Sequence, residues 1–497
     1  MLNKRTLFTL LLTVFATVSC ANKIAETEII HWNDFHSANL PYTPAYNNPE
    51  KIEVGGYAIL AGYIDSLRNI YDNALVVHAG DDFQGSPVSS ITKGLSQIMI
   101  LNKIQPDAFT IGNHEFDYGK ENLYEVLEKA NFPVVSANIY DEEKEQLFAN
   151  PYKIYKKGNV KIGVIGTVYK NLKSSVIPDN VEGLTILDPV TEIRQYVKEI
   201  NSKVDLIVVL SHSGFYSDSV YAENLEDVDV IIGGHSHSWL SKPVKINDVL
   251  ILQAGGRGER LGLLKLKINK STDAIESYDY DFIRTEVNKV APNQKVAQLV
   301  DSLESKIRET MNQEIGTLKK DWIRTSRDES NIGNWICDVT REKFAVDIAF
   351  QNSGGIRKNL PAGPITVRDI WEISPFDNSI QIFELTGKEL LDMVNYRLEN
   401  PRDLLQVSGM KIYYNGKTGN LEKLTISGEP VDPEKTYSIA TNNYIMSHSQ
   451  RFFGIDPETL DIEETNYLGR DVLLEGLRKD PVVSGEKEDR IIDVSQQ

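Results

Sequence analysis

Cysteine is almost missing from this 497-residue chain: only Cys20 and Cys337 occur. No disulfide framework is available, so stability has to come from buried apolar cores. Cys337 lies in the apolar stretch AsnTrpIleCysAsp and reads as a small buried hydrophobe, not a redox centre. Excess positive charge is missing too. Lys plus Arg number 53 against 71 Asp plus Glu, a net charge of −18. A chain this acidic lacks the basic face that a nucleic acid polymer requires, although single basic pockets remain allowed. Repeats and low-complexity segments are absent. The remaining composition, 41% hydrophobic and 25% charged, is that of a globular protein. Its length suits two to four domains, each able to bury a core.

Residues 1–20 stand apart. Lys4 and Arg5 precede an apolar run, Thr6 to Val18, and Ser19 and Cys20 lead into polar sequence. This is the layout of a bacterial export signal, and the run is too short for a membrane-spanning helix. Cys20 sits where a lipoprotein signal carries its lipidated cysteine, although Thr17 stands where such signals usually have Leu. Cleavage after Ala21 is the alternative. The expectation is an exported protein, periplasmic or in the cell envelope, that meets a membrane only through an N-terminal lipid.

From residue 28 onward, short apolar runs alternate with amphipathic segments. Residues 28–32, 74–78, 107–111, 161–166, 205–210 and 229–233 read as buried strands. Residues 57–69, 120–130 and 189–203 have helical spacing, with Ile193, Tyr196, Val197 and Ile200 on one face of the last. Strands interleaved with helices predict an α/β sandwich. The alternating stretch from Leu261 to Ile275 predicts a closing antiparallel pair. Residues 296–311 predict one long charged helix, a connector to a second α/β region. The expected division is a catalytic domain over 25–290, a helical linker over 291–315 and a second domain over 316–492.

Seven of the eight histidines precede residue 240, most of them just after a predicted strand. That end of an open α/β sheet is where ligands bind. The segments are AsnAspPheHis (33–36), AlaGlyAspAsp (79–82), GlyAsnHisGluPheAsp (112–117), SerHisSerGly (211–214) and GlyGlyHisSerHis (233–237). Asp34 with His36, and His235 with His237, are i, i+2 pairs, which on extended chain share a face about 6–7 Å apart. Such pairs can reach a two-metal centre, whose ions lie about 3.5–4 Å apart, and Asp81 can bridge both ions. Imidazoles with carboxylates suit zinc, manganese or iron rather than calcium. His31 and His78 have no compelling partner and read as core residues.

These motifs, in this order, resemble those of the calcineurin-like metallophosphoesterases, and most closely the 5′-nucleotidase branch. GlyAsnHisGluPheAspTyrGly (112–119) and GlyGlyHisSerHisSer (233–238) are the most specific, and residues 251–262 continue the likeness. The resemblance implies a four-layer αββα sandwich, a helical linker and a second, smaller α/β substrate-binding domain. It implies two divalent ions, zinc, manganese or similar, one held by Asp34, His36, Asp81 and His237. The other would be held by Asp81, Asn113, His212 and His235. Metal-bound hydroxide would attack the phosphorus, with His114, oriented by Asp117, stabilising the transition state or the leaving oxygen.

The second half resembles the same family's C-terminal domain through residues 326–338, 352–357 and 405–410. By that likeness Arg327 and Arg357 contact phosphate or ribose, Asn352 lines the base pocket, and Tyr444 supplies one of two stacking rings. The other ring position holds Leu404, and SerHisSerGlnArgPhePhe (447–453) replaces the family's usual glycine-rich acidic turn. The implied activity is hydrolysis of nucleotide phosphate esters. Cyclic nucleotides, nucleotide sugars or non-nucleoside phosphate esters remain open as alternatives, as does a surface binding protein that has lost turnover. Oligomeric state is left open.

Overall fold

The computed structural model describes residues 24–44, 48–401 and 404–496. The expected export signal and Cys20 lie outside the described residues. No helix among the described residues is long and apolar enough to cross a membrane.

Two six-stranded sheets form the middle of the first domain. One runs in the order Ala274–Arg284, Arg260–Asn269, Ile24–Trp32, Leu75–His78, Ala108–Thr110 and Val134–Val135. The other runs Val244–Ile246, Val249–Leu252, Val230–Gly233, Leu206–His212, Val160–Val168 and Tyr152–Lys157. In the first sheet the strands from Ile24–Trp32 to Val134–Val135 are parallel and the other two pair antiparallel; in the second the four central strands are parallel and both outer ones antiparallel. Ile29, Val77, Val164, Val208, Leu210 and Ile232 fill the space between the sheets with fully buried side chains. Burial on both faces explains why these strands read as unbroken apolar runs.

Helices cover the outer faces. Tyr57–Ile70 and Leu95–Ile104 bury their apolar sides against the first sheet. Pro189–Ile200 and Phe215–Asn224 lie on the second, where Ile193, Val197 and Ile200 form the buried stripe. The result is the four-layer αββα arrangement that the family resemblance implies.

The expected single helix over 296–311 is instead two, Gln294–Ser305 and Arg308–Met311. The break at Lys306 and Ile307 has a packing cause. Val296, Val300 and Leu303 sit in the first domain's core, whereas Met311 sits in the second domain's. Ile307 touches both cores, so the chain has to change direction there. Arg368 of the second domain pairs with the buried Glu304 at 2.5 Å, which fixes the helix to both sides.

A five-stranded mixed sheet centres the second domain: Leu405–Ser408, Ile348–Asn352, Thr436–Asn442, Ser379–Thr386 and Glu463–Leu468. Asn331–Phe344 packs on it and buries Cys337. Smaller three- and four-stranded sheets flank it. This domain faces the first with the loop after Asn352, the loop 374–378 and the short helices Asn443–Ser447 and Ser449–Phe453.

Candidate metal centre

Five loops converge because five parallel strands end on one edge of the sandwich. Asn33–His36 follows Trp32, Ala79–Phe83 follows His78, Gly112–Asp117 follows Thr110, His212 closes its own strand, and Gly234–His237 follows Gly233. Their backbones are tied together. Asp34 N–H donates to Gly80 O (2.9 Å) and His36 N–H to Asp81 O (3.0 Å).

The expected extended i, i+2 pairs are not extended. Asp34 (φ 48°), His36 (φ 50°), His235 (φ 74°) and His237 (φ 50°) adopt the left-handed conformation, as does Asp81 (φ 60°). Each such non-glycine residue costs about 1–3 kcal/mol, and residues so held concentrate at functional sites. The physical reason is geometric: the chain has to turn at the strand end while aiming both side chains inward.

The side chains form two adjoining groups. His36 Nε2 lies 3.0 Å from His237 Nε2, and His237 Nε2 lies 3.3 Å from Asp34 Oδ1. His212 Nε2 lies 3.1 Å from Asp81 Oδ2, and His235 Nδ1 lies 2.9 Å from Asn113 Oδ1. Asp34, His36 and His237 form one compact donor set, and Asp81, His212 and His235 another. Asp81 also shares a third set with His36 and His114, so its carboxylate stands between the two.

The donor chemistry fits divalent ions. His212 Nε2 is buried against the Asp81 carboxylate, while its Nδ1 is 2.7 Å from Ala79 O. A proton on Nδ1 leaves Nε2 as a free donor toward a metal. His36 Nδ1 is also buried, and it has no hydrogen bond. Burial lowers the His235 pKa to about 3, and burial and then Arg357 hold His36 well below its usual value, so both imidazoles are neutral and able to ligate. At Gly112 a Cβ would stand 2.2 Å from Asp81 Oδ1, so only glycine lets that carboxylate into the centre.

His114 stands at the edge of the donors. Its Nε2 is 4.0 Å from Asp81 Oδ2, and its Nδ1 is 2.9 Å from Asp117 Oδ2. Burial lowers its pKa, but the Asp117 and Asp81 carboxylates outweigh that and raise it overall. Glu115, which the sequence reading left without a role, accepts four backbone N–H groups: Asp81 (3.0 Å), Asp82 (2.7 Å), Phe83 (3.3 Å) and Gly112 (2.7 Å). It fastens two of the converging loops to each other.

The second domain closes over this edge. Arg357 Nη2 lies 3.1 Å from His36 Nε2. Asn352, Arg357 and Tyr444 line a pocket of about 300 Å³ together with Asn113, His114 and His235. Phe376 joins them, its ring 5.6 Å from that of His114. Nothing marked Phe376 in advance except a lone aromatic in the loop SerProPheAspAsn. Arg327 is not brought to this pocket. It lines a separate cavity of about 460 Å³ with Leu404 and Arg397. Leu404 and Tyr444 therefore do not form the expected pair, and Phe376 is the ring that shares a pocket with Tyr444. The departure at 447–453 serves domain contact: Arg451 Nη1 donates to Ser174 O (2.7 Å), and His448 Nε2 lies 3.2 Å from Lys173 O.

His31 and His78 are core residues, as read. His31 stacks on Tyr280, and His78 lies against Trp32 and Phe109.

Residues 27–239 match the family model described as calcineurin-like phosphoesterase. Enzymes of that kind use divalent metals, and fold and donor cluster together define a metal-dependent phosphoesterase. Residues 314–455 match the model described as 5′-nucleotidase, C-terminal domain. The chain belongs to the 5′-nucleotidase family. It is 29% identical over 487 residues to an apyrase of Tabanus yao, covering 85% of this chain and 86% of that protein. It is 27% identical over 514 residues to the 5′-nucleotidase of Homo sapiens, covering 91% and 88%. Among solved structures, a 5′-nucleotidase precursor from Thermus thermophilus superimposes with a TM-score of 0.86 at 28% identity, covering 94% of this chain and 99% of that one.

Proposed function

We propose that this protein is an exported, lipid-anchored nucleotidase that removes phosphate from nucleotides at a two-metal centre in residues 25–290, with residues 316–492 supplying the substrate-facing domain and residues 291–315 the linker. Asp34, His36, Asp81 and His237 would hold one ion, and Asp81, Asn113, His212 and His235 the other. Bound ions supply positive charge for the phosphoryl oxygens and acidify water. The observation that carries this reading is the Asp81 carboxylate, which shares donor sets with residues on both sides.

The chain's own groups complete the chemistry. His114, favoured in its cationic form by Asp117 and Asp81, sits beside Asp81 and can hold a proton at Nε2 for the leaving oxygen. Arg357 brings a guanidinium fork to the same place, suited to phosphoryl oxygens. Tyr444 and Phe376 offer ring faces to a nucleobase, and Asn352 an amide to its edge. The experiment is a phosphate-release screen of the purified protein on nucleoside monophosphates, cyclic nucleotides, nucleotide sugars and sugar phosphates, with zinc, manganese and magnesium each supplied. Release from nucleoside monophosphates is expected, and metal-independent or absent release would overturn the reading.

A further inference from the structure

Another parallel strand, Val160–Val168, ends at the edge where the five loops converge. The loop after it, 169–175, holds no histidine, cysteine or carboxylate and has no part in the chemistry proposed above. Val168 stands in register with His212 on the neighbouring strand, so Tyr169 emerges beside the metal centre. Its N–H donates to His212 O at 3.3 Å. Its ring lies on that of His235, with centres 4.3 Å apart and planes 24° from parallel. Tyr169 is buried and packs in the first domain's core.

His235 needs that contact more than His212 does. Ala79 O, 2.7 Å from Nδ1, orients the His212 ring. Among the described residues the His235 ring has one hydrogen bond, between Nδ1 and Asn113 Oδ1 at 2.9 Å, and Asn113 is a candidate ligand of the same ion. The His235 N–H is held by the Asp34 carboxylate at 3.0 Å, which fixes the backbone and leaves the ring able to turn. His212 meets that ring edge-on, 5.3 Å away at 65°. A ligating imidazole normally has a partner that fixes its plane, and at His235 the face of Tyr169 takes that place. The tyrosine's loop is itself pinned. Leu172 is fully buried and its N–H closes on Tyr169 O at 3.2 Å, while Ser174 O accepts from Arg451 of the second domain.

We infer that Tyr169 is a positioning residue for the metal centre. Its ring sets the plane of His235 and so raises the affinity for a divalent ion of the set formed by Asp81, Asn113, His212 and His235. The inference rests on the two-metal reading proposed above. The effect belongs to one donor set. In the other, the rings of His36 and His237 lie against each other, 4.9 Å between centres, and that set does not depend on the tyrosine. An aliphatic side chain at 169 fills space without an aromatic face. His235 then has rotational freedom to lose when it takes the ion, and that loss opposes binding. One set weakens while the other does not.

The test uses zinc as the probe. Wild type, Tyr169→Phe, Tyr169→Leu and Tyr169→Met are equilibrated with chelator-buffered zinc over a range of free concentrations, and bound zinc per chain is counted by elemental analysis. In Tyr169→Leu and Tyr169→Met, half of the bound zinc should leave at a free concentration about 10–100-fold higher than in wild type, the usual cost of removing a ligand's orienting partner. The other half should leave where it does in wild type. Tyr169→Phe keeps the ring face and should follow wild type throughout. Excess zinc should restore phosphate release from a nucleoside monophosphate in the two weakened variants, a recovery that a damaged fold would not show. Methionine adapts to irregular space, so that variant stays informative if Tyr169→Leu fails to fold. Zinc held as tightly as in wild type by both aliphatic variants would overturn the inference, as would equal weakening of both halves or weakening in Tyr169→Phe. Failure of both aliphatic variants to fold, or no recovery with excess zinc, would make the role of the ring structural and overturn it too. Wild type that holds fewer than two zinc ions per chain would instead sink the two-metal reading itself.

Discussion

Arg357 Nη2, carried by the second domain, lies 3.1 Å from His36 Nε2 in the first. On the function proposed above, a guanidinium in that place is expected to serve the reacting phosphate itself and not a remote part of the substrate. Arg357→Ala is therefore expected to lower hydrolysis of a nucleoside monophosphate and of 4-nitrophenyl phosphate alike, by about 10²-fold, since a charged hydrogen bond made in the transition state is worth several kcal/mol. If Arg357 instead contacted the ribose, the other role the resemblance allows, the aryl phosphate would be spared. Steady-state kinetics on both substrates decides between the two. Arg327→Ala, in a different cavity, should change either rate by less than about threefold.

Asp81→Asn tests the shared carboxylate. Loss of one charged oxygen between two donor sets should reduce bound metal, read by elemental analysis after dialysis, and bring phosphate release to background. Two ions per chain with full activity would remove Asp81 from its assigned role.

His114→Ala separates proton handling from assembly. Metal content should stay at the wild-type level while turnover falls by roughly 10²–10⁴-fold, the usual worth of a positioned acid. Substrates with good leaving groups, such as 4-nitrophenyl phosphate, should lose least. A matching fall in metal content would make His114 a ligand.

Glu115→Ala leaves four backbone N–H groups without their acceptor. Each buried donor stranded in this way costs about 1–3 kcal/mol, so the variant should melt well below wild type and bind metal weakly. The thermal midpoint with and without added metal checks this.

Asp229 gives a pH signature away from the centre. Burial pushes its carboxyl up to about 7, although the Ile207 N–H at 2.7 Å stabilises the anion. The folded state therefore binds this proton more tightly than the unfolded chain. Its contribution to stability is full below about pH 4 and declines as pH rises from there to about 7. Asp229→Asn keeps the acceptor for Ile207 without the charge. It should raise the melting temperature at about pH 8 and leave it nearly unchanged at about pH 4. An equal gain at both pH values would show that the carboxyl is not the cause.

The sequence by itself determined the layers and the chemistry. Strands buried on both faces must be apolar throughout, so runs such as Leu206–His212 announce a parallel sheet, and motifs such as GlyAsnHisGluPheAsp mark where strands end. What it did not determine is how side chains far apart in the chain share space. Extended pairs at 34–36 and 235–237 are the simplest reading of i, i+2 spacing. Only packed loops, with Asp34 N–H tied to Gly80 O and His36 N–H to Asp81 O, make the left-handed turns favourable. The placing of Tyr444 and Phe376 in one pocket, the separation of Leu404 and Arg327 from it, and the break at Ile307 depend on how two cores dock. Residue type and local spacing carry no record of that docking. It is set by the shapes of two buried surfaces, which exist only once each domain has folded.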